Sequence, residues 1–294
     1  MLILSADDVR RAIDRPALVT ALEAGFRALS DGQLDVPPRT QVTTPHGVLL
    51  IMAASMPGRC TAVKLVSVFH GNAARGLPSH HAVVTLFDRD TGAPVASMDA
   101  ADLTAMRTAA AAVVSIKHLA RRDRAVVAIV GGGAVGVAVE AMLDTLPAIS
   151  RAVIAPRTDI RSHVAQADVV CLCTAASEPV IEAGWIKPGT HVVSVGYRPP
   201  GSELPDDLIR SARLFVESRV AFDAPPAGCA ELHGLDAGRG AELGEVLLGR
   251  RPGRTRDDEI TLYKSMGHAM EDLVAANLVY ERALALGLGT RAVP

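Results

Sequence analysis

Gly131, Gly133 and Gly136 stand in the spacing G-x-G-x-x-G, after the apolar, β-branched run Ala125–Val130 and before Val137–Leu143, which holds neither Gly nor Pro. Strand, glycine turn and helix in that order are how a Rossmann unit meets a dinucleotide. The first glycine permits the tight turn, the second lets backbone approach a pyrophosphate, and the third lets helix and strand pack closely. The amides of Gly133, Ala134, Val135 and Gly136 would then donate to phosphate oxygens at the helix start. A Gly-rich turn between any strand and helix can produce the same string, so the order of the flanking elements carries the reading.

The following strand, Arg151–Ala155, runs into Pro156, Arg157, Thr158 and Asp159. A carboxylate at that point binds ribose hydroxyls, whereas Arg157 with Thr158 suits a 2′-phosphate, which favours NADP(H) over NAD(H). Asp159, or an ordinary surface arginine, is the competing explanation.

Patterning supplies the elements that must hold this turn. After Gly136 it predicts a helix over 137–145, strands at Arg151–Ala155, Val169–Thr174, His191–Val195 and Leu214–Val216, and a short helix at Asp159–Ala167. That alternation is an α/β unit. Upstream, Ser5 can cap a short helix and Pro16–Leu29 reads as a second. Between Thr40 and Val95 the runs Val48–Met52, Ala62–Val68, His81–Phe87 and Pro94–Met98 read as strands split by turns such as Asp90-Thr91-Gly92, a sheet not made by βαβ repetition. Leu103–Leu119 is a long Ala-rich helix leading into the nucleotide strand. In the tail, Ile260, Leu262, Met266, Met270, Leu273, Val274, Leu278 and Leu284 fall at helical spacing, ended by Gly287.

A chain of 294 residues, 49% hydrophobic, is long and apolar enough for two ordinary domains. Thirty Lys and Arg against 32 Asp and Glu, with no long basic run, argue against a nucleic-acid partner and for a small-molecule substrate. No segment approaches the roughly 18 apolar residues of a membrane span, and Met1–Asp8 lacks the basic start of a signal peptide, so a cytoplasmic location without a membrane partner is expected. Four cysteines make no disulfide framework, and Cys171 and Cys173 read as core thiols. No His-Glu-x-x-His or Cys-x-x-Cys spacing marks a metal site, and His80-His81 reads as lying beside a cleft.

Four further segments flank the turn: Pro37-Pro38-Arg39-Thr40; Lys64 with Asn72, Arg75, Gly76, Leu77 and Pro78; Arg107-Thr108-Ala109-Ala110; and Glu242-Leu243-Gly244-Glu245-Val246 followed by Glu259–Gly267 and Glu271-Asp272. In that order, from near residue 5 to Gly289, they make the chain resemble the ornithine cyclodeaminase/mu-crystallin family. The resemblance implies an α/β protein: a Rossmann domain over 118–267 and an α+β substrate-binding and dimerisation domain built from 1–117 with 268–294. It implies a homodimer and hydride exchange between NAD(P) and the α-carbon of an amino or imino acid, with an α-keto acid as a further substrate class. Lys64 falls at the family's catalytic lysine. Arg39 and Arg107 fall where a substrate carboxylate is held, which suits the planar guanidinium fork. Ser79 falls near the substrate, and Thr108 faces the cofactor. A lysine whose pKa is lowered by two neighbouring arginines can pass protons to or from a substrate nitrogen. Thr174, Gly196 and Ser265 join the glycine turn as expected cofactor contacts, and Ala175–Val180 and Trp185–Thr190 resemble loops that pass the cofactor ring.

The departures from the family bear on the reaction. Cyclodeaminases carry a Glu where this chain has Leu50, and an Asp after the strand ending Val195-Gly196, where this chain reads Tyr197-Arg198-Pro199-Pro200. That Asp assists the distal amine of ornithine, so ring closure has lost its general base. The helix and third strand that relatives carry after Arg157 are missing, because Ala167-Asp168-Val169-Val170 follows almost at once; a trimmed Rossmann sheet lacking one edge strand and helix is expected. The expected activity is therefore reduction of an α-imino acid or amino-acid dehydrogenation. The alternatives are ornithine or lysine cyclodeamination, and a non-catalytic protein that binds NADPH and a ligand.

Overall fold

The computed structural model describes residues 1–292 and resolves two units, Met1–Arg107 with the chain from His268 onward, and Thr108–Gly267. The division between the units lies inside one long helix, between Arg107 and Thr108.

The first unit begins with β1 (Leu2–Leu4), α1 (Ala6–Ala12) and α2 (Arg15–Ser30). Ser5 and Asp8 form a reciprocal capping box on α1. Asp14 caps α2, with Pro16 in its first turn where no amide is missed. Then come β2 (Thr40–Thr44), β3 (Gly47–Ala54), β4 (Thr61–Val68), β5 (His80–Phe87), β6 (Pro94–Asp99) and α3 (Ala101–Leu119). Strands β2 to β6 form an antiparallel meander. Period-2 alternation buries Leu50, Met52, Ala54, Ala62, Val66, Val84, Leu86, Ala96 and Met98 on one face. Val42, Leu65 and Val83 remain exposed on the other. Strand β2 carries no alternation of burial and forms because β3 offers an edge, which explains why hydrophobic patterning does not show it.

The second unit contains β7 (Val126–Val130), α4 (Ala134–Met142), β8 (Arg151–Ile154), α5 (Ile160–Gln166), β9 (Val169–Leu172), β10 (His191–Ser194), α6 (Asp206–Ser211), β11 (Arg213–Val216), β12 (Ala241–Glu242), α7 (Leu243–Leu247) and β13 (Thr261–Lys264). Its sheet is parallel throughout, in the order β12-β11-β13-β10-β9-β7-β8. Strands β9, β10 and β13 are buried at every residue, as a sheet covered on both faces demands. The strand order reverses between β7 and β9, the switch point at which such sheets bind ligands. Strand β8 is the outer strand, and among the described residues no strand pairs with its far edge.

The chain returns to the first unit with α8 (Ala269–Leu286) and β14 (Thr290–Arg291), completing the sheet β14-β1-β6-β5-β4-β3-β2. The single tail helix expected from spacing is corrected here. Thr261–Lys264 is β13, so Leu262 is a core-strand residue whose place in a helical pattern is coincidental. Gly267, at φ +78°, and the cap residue His268 separate it from α8. Helix α8 lies on β3, β4 and β5 and against α2, where Gly25 leaves room for Met270. Asn277 ties α8 to the start of β4, its Oδ1 accepting from Cys60 N at 3.0 Å and its Nδ2 donating to Cys60 O at 3.0 Å. No helix among the described residues is long and apolar enough to cross a membrane.

Candidate active site

In β4 the alternation places Lys64 in phase with Ala62 and Val66, on the apolar face beneath α8. An ammonium there is costly unless it is paired. The first turn of α8 supplies the pair: Asp272 Oδ1 accepts from Lys64 Nζ at 3.0 Å and from Arg107 Nε at 3.0 Å. Glu271 Oε2 accepts from Arg107 Nη1 at 2.5 Å. Lys64 is 2% exposed, Arg107 4%, Glu271 0% and Asp272 1%, so two cations and two carboxylates form a buried, formally neutral group. Both carboxylates stand in the first turn of α8, where the helix dipole favours negative charge. His268 closes that turn, its Nδ1 accepting from Met270 N at 3.3 Å.

Burial pushes the Lys64 pKa down to about 8; Arg107 adds to the shift, and Asp272 opposes it. The expected pair of depressing arginines is thus corrected to burial first and Arg107 second. Burial works to raise the Asp272 pKa, yet Arg107 and Lys64 outweigh it and hold the carboxyl below its ordinary value. Lys64 therefore changes charge near pH 8 beside a partner that stays ionised, which suits a group that gives and takes a proton.

Arg39 directly precedes β2. Continuing the β2–β3 register by one residue puts it abreast of Met52, which pairs with Lys64, two strand spacings or about 10 Å away. Ser79 is not brought to this cluster: Val84 is the partner of Lys64 in β5, and Ser79 lies roughly 15 Å further along that strand. Its Oγ meets His80 Nδ1 at 2.9 Å instead. Leu50 is buried on the same face as Lys64, so no carboxylate stands there. Thr108, next on α3 after Arg107, is buried in the second unit.

In the second unit the three glycines have separate physical roles. Gly131 has φ +115°, and a Cβ there would lie 2.5 Å from Cys173 O. Gly133 caps α4 without a side-chain bond, and a Cβ on it would meet nothing within 4 Å. Gly136 packs so tightly that a Cβ would fall 1.9 Å from Gly131 O. Gly132, Gly133 and Ala134 are exposed and Val135 is half-buried. An open glycine cap at the carboxyl end of β7, with helix amides behind it, fits a pyrophosphate.

Arg157 and Thr158 are exposed in the turn after β8, and among the described residues Arg157 has no bonding partner. Asp159 is engaged, accepting from Ser162 Oγ at 2.5 Å and standing 3.6 Å from His163 Nδ1. Thr174, Gly196 and Ser265 follow the carboxyl ends of β9, β10 and β13. Glu203 holds the first two, and Glu217 accepts from Ser265 Oγ at 2.6 Å. Arg198 is exposed and donates to Ala175 O at 2.7 Å. The loop Trp185–Thr190 is corrected: it enters β10 at the amino edge of the sheet, where Lys187 donates to Gln166 O and Asp168, at the end opposite to the glycine turn.

The amino-acid order does not reveal the roles of Asp272 and Glu271, which pass for ordinary helix-start carboxylates, nor that of Lys264 within its matched segment, and it gives no sign of Glu203. The available signal is the strand phase of Lys64, a charged residue at a core position that requires a counter-charge.

A sequence profile of the ornithine cyclodeaminase/mu-crystallin family matches residues 1–154 and 136–287. The ketimine reductase mu-crystallin of Rattus norvegicus is 35% identical, over 95% of this chain and 96% of that protein. The structure of Thermococcus litoralis Δ1-pyrroline-2-carboxylate reductase in complex with NADH and L-proline is similar at TM-score 0.87 and 32% identity, covering 99% of this chain and 100% of that one. An archaeal alanine dehydrogenase dimer with bound NAD is similar at TM-score 0.83 and 28% identity, over 100% and 99% of the two chains.

Asp272→Ala leaves Lys64 and Arg107 with Glu271 as their remaining carboxylate, and it should lower unfolding free energy in urea by about 3–5 kcal/mol. Adding Lys64→Met should recover part of that loss, because it removes the cation left unpaired; a single variant as stable as the parent would refute the account of the cluster.

Proposed function

The chain belongs to the ornithine cyclodeaminase/mu-crystallin family, and from that premise we propose that it is a nicotinamide-dependent reductase of an α-imino acid, able to run in reverse as an amino-acid dehydrogenase. The observation that carries this reading is the buried Lys64–Asp272–Arg107 group, in which burial pushes the lysine pKa down to about 8. A bound nicotinamide supplies or accepts the hydride at the α-carbon. Lys64 gives a proton to the substrate nitrogen in reduction and takes one in oxidation. Arg39 and Arg107 hold the carboxylate. Cyclodeamination is disfavoured because it needs a further base for the distal amine, and the two places where the family's cyclodeaminases carry acids hold Leu50 and Arg198 or Tyr197. The reductase and alanine dehydrogenase relatives support the same reaction class, and a cyclic imino acid with L-proline as its reduced form is the first substrate to try.

For the cofactor we favour NADP(H). Arg157 is exposed after β8 with no partner among the described residues, while the competing Asp159 accepts from Ser162. The relatives' structures hold NADH and NAD, so this preference rests on this chain's own residues. For assembly we favour a homodimer through the sheet face opposite α8, where Val42 is 52% exposed and the paired residues Leu65 and Val83 are each 37% exposed.

Reduction of a cyclic imino acid should keep a constant rate below pH about 8 and decline above it, as Lys64 loses its proton; oxidation of the amino acid should rise through the same pH. Lys64→Ala should abolish both, and an absence of turnover with cyclic imino acids or with keto acids plus amines would sink the proposal. Fluorescence titration should show Arg157→Ala weakening NADPH about tenfold while leaving NADH unchanged; equal effects would reassign Arg157 to the surface. Light scattering should give a dimer, and Leu65→Glu with Val83→Glu should give a folded monomer, whereas a parent monomer would refute the interface.

A further inference from the structure

The carboxyl edge of the parallel sheet carries buried charge that the proton chemistry does not use. Glu203, 2% exposed, lies between β10 and α6. Its Oε2 accepts from Thr174 N at 2.9 Å and Thr174 Oγ1 at 2.6 Å; its Oε1 accepts from Gly196 N at 2.7 Å and Ser194 Oγ at 2.8 Å. One carboxylate thus gathers donors from the loops after two adjacent strands. Lys264, at the end of β13 and fully buried, backs it: Nζ donates to Gly196 O, to Ser194 Oγ at 3.3 Å and to Glu231 Oε1 at 2.8 Å. Both backbone polar groups of Gly196 are therefore held by charged side chains. The fit is close, since a Cβ on Gly196 would stand 2.5 Å from the Glu203 carboxyl carbon and 2.6 Å from Thr174 O.

Buried ionic groups of this kind add little net stability over an apolar replacement; what they provide is fixed geometry. The topology says which geometry. With the pyrophosphate at the β7–α4 turn, the adenosine half falls toward β8, and the other half falls across the switch point toward β9 and β10. The loops that Glu203 ties together are those at the ends of β9 and β10.

We propose that Glu203, backed by Lys264, is a positioning residue for the nicotinamide half of the dinucleotide, acting through Thr174 and Gly196. The proposal rests on the dinucleotide reading given above, and it assigns the two halves of the ligand to different residues.

The test titrates NADPH, NADH, ADP-ribose and 2′-phospho-ADP-ribose against the full chain and its Glu203→Gln variant. A glutamine has one acceptor oxygen, and its NH₂ would face a backbone N–H, so one loop is released. NADPH and NADH should bind about tenfold more weakly or worse, while both ADP-riboses, which lack nicotinamide, stay within about twofold. Ser194→Ala deletes one donor with little disturbance and should give the same pattern at about threefold, which covers the case of a Glu203→Gln chain that does not fold. Equal weakening of all four ligands marks a purely structural carboxylate and overturns the proposal, as does no change in any. If the unaltered chain binds the ADP-riboses but neither dinucleotide, the nicotinamide assignment falls; if it binds none of the four, the dinucleotide reading itself falls.

Discussion

The constraint on which the first unit depends is the neutralisation of Lys64. Its neighbours along β4, Ala62 and Val66, make the core face of the sheet, and the strand's two-residue period leaves Lys64 no other side to occupy. A charged group at that depth has to find its counter-ion within a few ångströms, and α8 delivers it in its first turn. The register of α8 on the sheet is thereby coupled to chemistry: sliding the helix by one residue would carry Asp272 off Lys64 and Arg107 together. Gly25, which admits Met270, and Asn277, which clamps Cys60, hold the same helix in the same place by packing and by backbone hydrogen bonds.

The second unit solves a different problem, an approach of backbone to ligand, and solves it with missing side chains. Gly131 and Gly136 are required by the protein itself, because a Cβ at either would strike Cys173 or Gly131. Gly133 is not required by any neighbour within 4 Å. A glycine that internal packing does not need, at an open helix cap, makes sense when something outside the chain comes close. An added side chain at this cap would meet open space rather than protein, as the proposed pyrophosphate cradle requires.

Much of this was legible in the amino-acid order. Strand, glycines and helix around Gly131 are local features, as are the caps at Ser5 and Asp14 and the alternation in β3 to β6, and local features leave local signals. What could not be read depends on partners distant in sequence. Strand β2, with Thr40, Thr43 and Thr44, has no hydrophobic signal and exists because β3 has an edge to fill. The tail was misread because Ile260, Leu262 and Met266 happen to continue the period of the true helix. The resemblance alone puts the loop Trp185–Thr190 at the cofactor, while only the direction of β10 says which edge of the sheet that turn occupies. Asp272 was visible as a residue but not as a counter-ion, since 208 positions separate it from Lys64.

Lys64 and Lys264 together show how environment assigns work to one residue type. Both are buried to the same degree, and burial alone pushes either ammonium toward neutrality. Lys64 shares its carboxylate with Arg107, whose own charge adds to the push, so its pKa falls to about 8. Lys264 faces Glu231 and Glu203, whose charges overcome burial, so its pKa rises above the ordinary value. The first lysine therefore gives up its proton far more readily than the second, which stays charged. A lysine that stays charged keeps its hydrogen bonds to Gly196 O, Ser194 and Glu231, which is what a fixed support requires. Arg107 competes for the carboxylates around Lys64, whereas Glu231 and Glu203 both act on Lys264, and this difference in neighbours rather than depth divides proton transfer from positioning.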